Sequence, residues 1–395
     1  MKTILNGFLI IAFYLVAANG LAAVIAVNCN QGGSLANAVI AALPGDRVEV
    51  VGTCNETVII NTDGITLDGA GNATIDGGGA TALTVDGVQR VIINGITVRN
   101  GLMGVHGKGA ASFSLSNIVV KDNAVAGIQL EGNSSLETFD VVSKDNGAFG
   151  FNIERASELK GSGKLTVRDN GVFGIFMANN ASAVFSNADV TVKNNVLGIQ
   201  VGINSSFMIA DAATTVVAKD NVSTGLTVVS GSTLFVFEGA IVTRNNQFNH
   251  GVSANSNSNI DLDRGGSITT RDNGLDGIQL ENSLLNMFNM PGFPASTVIS
   301  RDNGRHGLSA FVESVIDLSG DSVITSRDNG VNGVLVDNGS TARIINSKIQ
   351  NNTAADLELS FGARGDLTNN INIGNVVCDA SVLIRGDTGI TCPNP

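Results

Sequence analysis

The chain of 395 residues has no tryptophan, one tyrosine, three histidines and only 15% charged residues, and each shortage removes a class of protein. Flat aromatic faces with a polar handle are the usual partners of sugar rings. The single Tyr14 lies in the leader described below, and the 17 phenylalanines are expected mostly on interior columns, so an extended aromatic sugar cleft is not expected. Histidine occurs only at 106, 250 and 306 and there is no Cys-x-x-Cys pair, which leaves no zinc-site pattern. Lys and Arg number 23 against 35 Asp and Glu, a net charge of -12, which argues against nucleic acid or anionic lipid as partners. An acidic surface also disfavours long polyanions unless calcium bridges the charges, so calcium is the one cofactor left open and no other is identified. After the leader no segment approaches the roughly 20 uninterrupted apolar residues of a membrane span, so no transmembrane anchor is expected in the mature chain.

The leader reads Met1-Lys2, an apolar stretch from Ile4 to Ala17, then the small residues Ala18, Gly20, Ala22 and Ala23. That is the pattern of a secretory signal peptide. Residues 1–22 are assigned to it and 23–395 to one domain, placing the product outside the cytoplasm, as a secreted, periplasmic or cell-surface protein. Four cysteines follow, at 29, 54, 378 and 392, all near the ends of the chain. An even number in an exported protein predicts disulfides, Cys29 with Cys54 and Cys378 with Cys392, each closing one end.

What the sequence has in abundance is a repeat. A Lys or Arg, then Asp-Asn, a small turn, a Gly and an alternating apolar strand recur, as in Lys144-Asp145-Asn146-Gly147-Ala148-Phe149-Gly150-Phe151-Asn152-Ile153. Taking the Asn as phase marker gives Asn100, Asn123, Asn146, Asn170, Asn195, Asn221, Asn246, Asn273, Asn303, Asn329 and Asn352, spaced by 23 to 30 residues. A period in the twenties with strand chemistry means a solenoid. Low charge and 48 glycines fit stacked coils, which expose little side chain and turn sharply. Period-two alternation puts Val105, Ile128, Phe151, Ile175, Ile199, Leu226, Val252, Ile278, Leu308, Val334 and Leu357 in one interior column. Residues 34–43, with Ser34 as N-cap and a Pro44-Gly45-Asp46 stop, predict a short amphipathic helix that plugs the N-terminal end. The expected architecture is all-β: a single right-handed parallel β-helix of about 11–13 coils with this capping helix.

This arrangement resembles the right-handed parallel β-helix, or pectin-lyase-like, superfamily. The likeness is strongest where Pro44-Gly45-Asp46 precedes Val48-Glu49-Val50-Val51-Gly52-Thr53, Val58-Ile59-Ile60 and Ile65-Thr66-Leu67-Asp68-Gly69-Ala70-Gly71. The resemblance implies that the Asn column is an asparagine ladder at a sharp turn, with side-chain amides bonded from rung to rung. It implies fold rather than activity. Of the clusters carried by polygalacturonases, Asn61-Thr62-Asp63 matches the first, but Asp-Asp, Gly-His-Gly and Arg-Ile-Lys are missing, as is the Trp-Ile-Asp-His element of pectate lyases.

The remaining candidates come from aligning rungs. The position before the signature Gly carries His250, Asp276 and His306 on three consecutive rungs, with Arg305 alongside. A carboxylate between two imidazoles suits acid–base work, and the Arg suits an anionic sugar. The widest coil holds an apolar excursion with Phe288 and Met290, and Asp261 and Asp317 lie outward on the neighbouring coils, which makes these four candidate substrate contacts. Lys121, Lys144, Arg168, Arg271, Arg301 and Arg327, each followed by Asp, are expected to form a basic ladder beside an acidic one, with ion pairs across strands. The leading functional reading is an exported interaction or structural protein whose expected partner is an extracellular or cell-surface polysaccharide. The alternative is a polysaccharide lyase, hydrolase or epimerase using His250, Asp276, His306 and Arg305, so whether the chain is an enzyme stays open at this point.

Overall fold

A computed structural model describes residues 22–368 and 372–386. Every strand pairing among them is parallel, and each strand pairs with its counterparts one coil before and one coil after, as Phe151 does with Ile128 and Ile175. One sheet of 14 strands carries one strand per coil, and a second sheet of 23 strands covers the other two sides. A representative coil runs through strand Ala126–Leu130 and then strand Ser135–Lys144, which bends at Asp140 (φ 54°). Farther along, the same two sides separate into distinct strands, for example Thr233–Phe237 and Ala240–Arg244. The helix thus has about 14 turns, more than the 11–13 expected. Strands Val58–Ile60 and Leu83–Asp86 precede the first Asn marker and Val376–Cys378 follows the last, so the marker could not count them.

The predicted interior column is continuous from Val105 to Leu357, and each member is fully buried. Burying each such side chain contributes about 1.5–3 kcal/mol. The polar turn beside it is stabilised by the asparagines. Asn146 Nδ2 donates to Asn170 Oδ1 at 2.9 Å, and the same oxygen accepts the Asn146 backbone N–H at 3.2 Å. This double bond pattern repeats from Asn123 to Asn329, and Asn352 closes it by donating to Asp356 Oδ1 at 2.8 Å. A buried amide is therefore satisfied on every rung. Asn100 is out of phase: Arg99 pairs with Lys121, so Gly101 takes the ladder position and donates its N–H to Asn123 Oδ1, while Asn100 bonds Asp76. Close packing also explains the signature Gly. A Cβ on Gly150 would lie 2.6 Å from Gly174 O and 2.8 Å from Asn170 Nδ2.

Three features differ from, or go beyond, the sequence reading. At the turn between the single-strand side and the next, buried serines form a second ladder: Ser258 N–H donates to Ser283 Oγ, Ser283 N–H to Ser314 Oγ and Ser314 N–H to Ser340 Oγ, at 3.1–3.2 Å. The basic and acidic columns do not pair across strands. The Asp sits in the left-handed region, as at Asp145 (φ 56°) and Asp272 (φ 53°), which turns its carboxylate back onto the preceding cation: Lys144 meets Asp145 at 2.9 Å, and Arg271 meets Asp272 at 3.1 Å. These exposed pairs contribute little. Nor are the phenylalanines mostly interior. Among the described residues Phe113, Phe151, Phe185 and Phe207 are buried, whereas Phe149, Phe173, Phe176, Phe235 and Phe237 face outward because neighbouring residues occupy the inward phase of their strands, and Phe288 and Phe293 lie exposed on a loop between strands.

The N-terminal end is closed as expected. Helix Leu35–Ala41 is capped by Ser34, whose Oγ accepts from Asn37 N–H, and it buries Leu35, Ala38 and Val39 against the first coil. Glu56 fastens the cap from the coil side by accepting from Ser34 Oγ and Leu35 N–H. Cys29 and Cys54 form the predicted disulfide, with Cα atoms 5.1 Å apart. Cys392, and with it the second predicted bridge, lies outside the described residues, as does the leader up to residue 21. Asn246→Ala, in the middle of the ladder, removes a fully buried acceptor from the Asn221 amide and is expected to cost about 1–3 kcal/mol in urea denaturation. Asn245→Ala, an exposed neighbour whose amide reaches only Asp220, should cost less.

Candidate functional site

The single-strand side brings His250, Asp276 and His306 onto consecutive rungs, as the alignment expects. Asp276 is fully buried and both its oxygens are occupied. Arg305 donates from Nε to Oδ1 at 2.7 Å and from a terminal nitrogen to Oδ2 at 2.5 Å. His306 N–H adds a bond to Oδ1 at 3.0 Å, and Ser309 Oγ one to Oδ2 at 2.8 Å. Burial is the largest single influence and would raise this carboxyl, but the Arg305 fork and the nearby His250 together outweigh it and hold the group well below the usual carboxylate range.

The imidazoles are turned toward the backbone rather than the carboxylate. His250 Nδ1 accepts the Asp276 N–H at 3.3 Å, and His306 Nδ1 accepts the Asn332 N–H at 3.3 Å. A nitrogen that accepts an amide presents a lone pair and not a proton. The approach of His250 Nδ1 to Asp276 Oδ2, 3.4 Å, is therefore a contact without a hydrogen bond, and Arg305 is the foremost of the groups that lower Asp276. Burial also pushes His306 below its ordinary value, since the attraction of Asp276 does not offset it. What remains available on both rings is Nε2, for which no protein partner is found among the described residues.

A second locale forms on the side that carries the widest coil. Strand Leu284–Met287 stays in register, Asp261 with Asn286 and Asn286 with Asp317, so the candidates Asp261 and Asp317 flank one rung. The chain then leaves the rod over residues 288–296 and returns at strand Thr297–Arg301, with Ser296 Oγ bonded to Phe288 O at 3.0 Å. Phe288 together with Phe235, Phe237, Asp261, Leu262, Asp263 and Asn286 lines an open recess of about 300 Å³. Met290 sits farther out on the flap, 36% exposed, and does not line it. Arg264 anchors the flap, its guanidinium 5.2 Å from the Phe293 ring centroid and 5.8 Å from that of Phe237.

Phe235, Phe237 and Arg264 were not among the sequence candidates. The two phenylalanines lie on the run Leu234-Phe235-Val236-Phe237, which is apolar at every position, so alternation alone cannot say which residues face out. Register with Ile260 and Leu262 decides it. Among the described residues, the one grouping of three metal-ligating side chains is Cys29, Cys54 and Glu56, in which both sulfurs are tied up in the disulfide. Asp261 and Asp317 form no such cage for calcium.

The state of Asp276 yields a pH-dependent prediction. Because its folded pKa lies below the unfolded value, its stabilisation is present at neutral pH and lost as pH falls from about 4 toward the folded value. Asp276→Asn should lower stability at pH 7 by about 2–3 kcal/mol, less than a wholly buried pair because Arg305 keeps a third of its side chain in solvent. In urea denaturation the gap between wild type and variant should narrow steadily below pH 4.

Residues 50–206 match the family model described as right handed beta helix region. No curated protein matches the sequence. Among solved structures, the chain is similar to a mannuronan C-5 epimerase A-module of Azotobacter vinelandii, at 14% identity over 92% of this chain and 100% of that one, with a TM-score of 0.43. It is similar also to the periplasmic alginate epimerase AlgG (14% identity, 87% and 77% covered, TM-score 0.42) and to a pectate lyase (14% identity, 85% and 78% covered, TM-score 0.36). At this identity no residue role carries over. The parallel pairing along the described residues and the match over residues 50–206 together identify the fold as a right-handed parallel β-helix.

Proposed function

We propose that the protein is an exported β-helix that binds polysaccharide along its side, with the recess beneath the flap as the point of contact. The observation that carries this reading is the lining of that recess, where the rings of Phe235, Phe237 and Phe288 alternate with the hydrogen-bonding groups of Asp261, Asp263 and Asn286. A pyranose presents C–H faces and a rim of hydroxyls, and it is held by this combination of apolar surface and a few placed polar groups. Asp317 lies one rung beyond Asn286, where a longer chain could continue. Export is supported by the signal-like leader and the disulfide at the N-terminal cap. No helix among the described residues is long and apolar enough to cross a membrane.

The saturation of Asp276 supports binding over turnover, because a carboxylate bonded to Arg305, Ser309 and a backbone amide has no capacity left for a substrate proton. A catalytic reading rests on one specific observation, the uncommitted Nε2 atoms of His250 and His306. The two readings separate in one set of assays. Calorimetry against a panel of soluble glycans should show saturable binding that Phe235→Ala and Phe288→Ala weaken by tenfold or more. Incubation with pectate or alginate, with and without calcium, should generate no ultraviolet-absorbing ends and no new reducing ends. Turnover abolished by His306→Ala would replace the binding reading with the enzymatic one.

A further inference from the structure

We infer that the recess selects sugar units bearing a free protonated amine, and that Asp261 is the group that receives it. This rests on the glycan-binding reading above and names its ligand more narrowly. The argument begins with how the charges on this side are matched. Phe235, Asp261, Asn286 and Asp317 follow one another in register on four successive rungs. Asp317 has Arg343 at 3.8 Å, and Asp263 has Arg264 at 3.6 Å. Asp261, partly buried, has no cation within ion-pair distance among the described residues. Its side-chain partner is the neutral Asn286 amide, which donates to Oδ1 at 3.2 Å.

A cation on the same side is held elsewhere. Arg264 lies between the rings of Phe237 and Phe293 and against Asp263. Asp261 is thus a half-buried carboxylate beside phenyl rings with no charge to balance it, an arrangement that disfavours the ionised form in the free protein. Burial accordingly pushes its pKa above the usual value, and the Asn286 bond does not offset it. A ligand that brings its own positive charge removes that penalty and gains a charge-assisted hydrogen bond. The ring faces add to the attraction, as they already do for Arg264. An acetylated amine lacks the charge, and a uronate would meet the unbalanced Asp261 with like charge. The net charge of -12 adds a long-range field that draws polycations and repels polyanions. Calcium bridging of a uronate is the competing arrangement, but Asp261 and Asp317 do not converge with a third ligand.

The experiment is calorimetric titration of the full-length mature chain at pH 7 with four hexasaccharides: fully deacetylated glucosamine, N-acetylglucosamine, cellohexaose and oligogalacturonate, the last with and without calcium. The amine-bearing oligomer is expected to bind at least tenfold more tightly than its acetylated counterpart. Asp261→Asn should abolish that preference by bringing the amine-bearing oligomer down to the affinity of its acetylated counterpart, and it should raise the melting temperature of the free protein by removing the unbalanced charge. Equal affinity for amine and acetylated oligomers, or a preference for galacturonate with calcium, overturns the inference while the glycan-binding reading stands. Binding of none of the four overturns both. A lowered melting temperature with loss of every ligand would make Asp261 structural and likewise overturn it.

Discussion

Everything in this molecule depends on rung-to-rung hydrogen bonding in register. In a parallel solenoid the same face of each coil must meet the same face of the next, because a one-residue slip would turn every interior side chain outward. Backbone ladders alone tolerate such slips, but the buried side chains at the turns do not. Asn146 bonds Asn170 through both its amide and its backbone N–H, so a slipped coil would leave two buried polar groups without partners. The serines at the next turn impose the same condition on a second corner. Two polar ladders and one apolar column together determine how each coil sits on its predecessor. Coil lengths can then vary, as the excursion over residues 288–296 does, without disturbing the rod.

That rigidity makes the surface informative. Two aspartates, Asp276 and Asp261, lie on nearby rungs of different sides, yet their surroundings drive them in opposite directions. Asp276 is wholly buried and fully compensated by Arg305, Ser309 and a backbone amide, which keeps it ionised and chemically spent. Asp261 is less buried and uncompensated, so its ionised form is disfavoured and still has capacity for a partner. The residue that looks catalytic by its histidine neighbours is thus the one whose bonding is complete. The residue beside a plain apolar flap is the one left with unmet electrostatic demand.

Much of the fold was legible from the residues. The asparagine column from Asn123 to Asn352 and the interior column through Phe151 and Ile278 follow from the repeat, the ladder bonding of the asparagines from the resemblance, and the Ser34-capped helix and the Cys29–Cys54 bridge from local cap and cysteine signals. Asn100 was misphased because Asn is acceptable both in the ladder and at the left-handed position beside it, and only pairing with the following coil separates the two. The serine ladder escaped notice because Ser is common in turns for several reasons. Of the site candidates, the His250, Asp276, Arg305 and His306 grouping was visible as proximity, while the direction of each bond was not. Asp261, Asp317 and Phe288 were visible as outward neighbours, but the floor supplied by Phe235 and Phe237 was hidden in an all-apolar strand.

Sequence by itself therefore determined the period, the interior column and the asparagine corner, which depend on residue type at a repeated spacing, and the cap, which depends on a local helix signal. Only the tertiary structure decided which outward side chains spend their hydrogen bonds on one another and which keep them for a ligand. That depends on rotamer, tautomer and the course of a single irregular loop, which the repeat does not constrain.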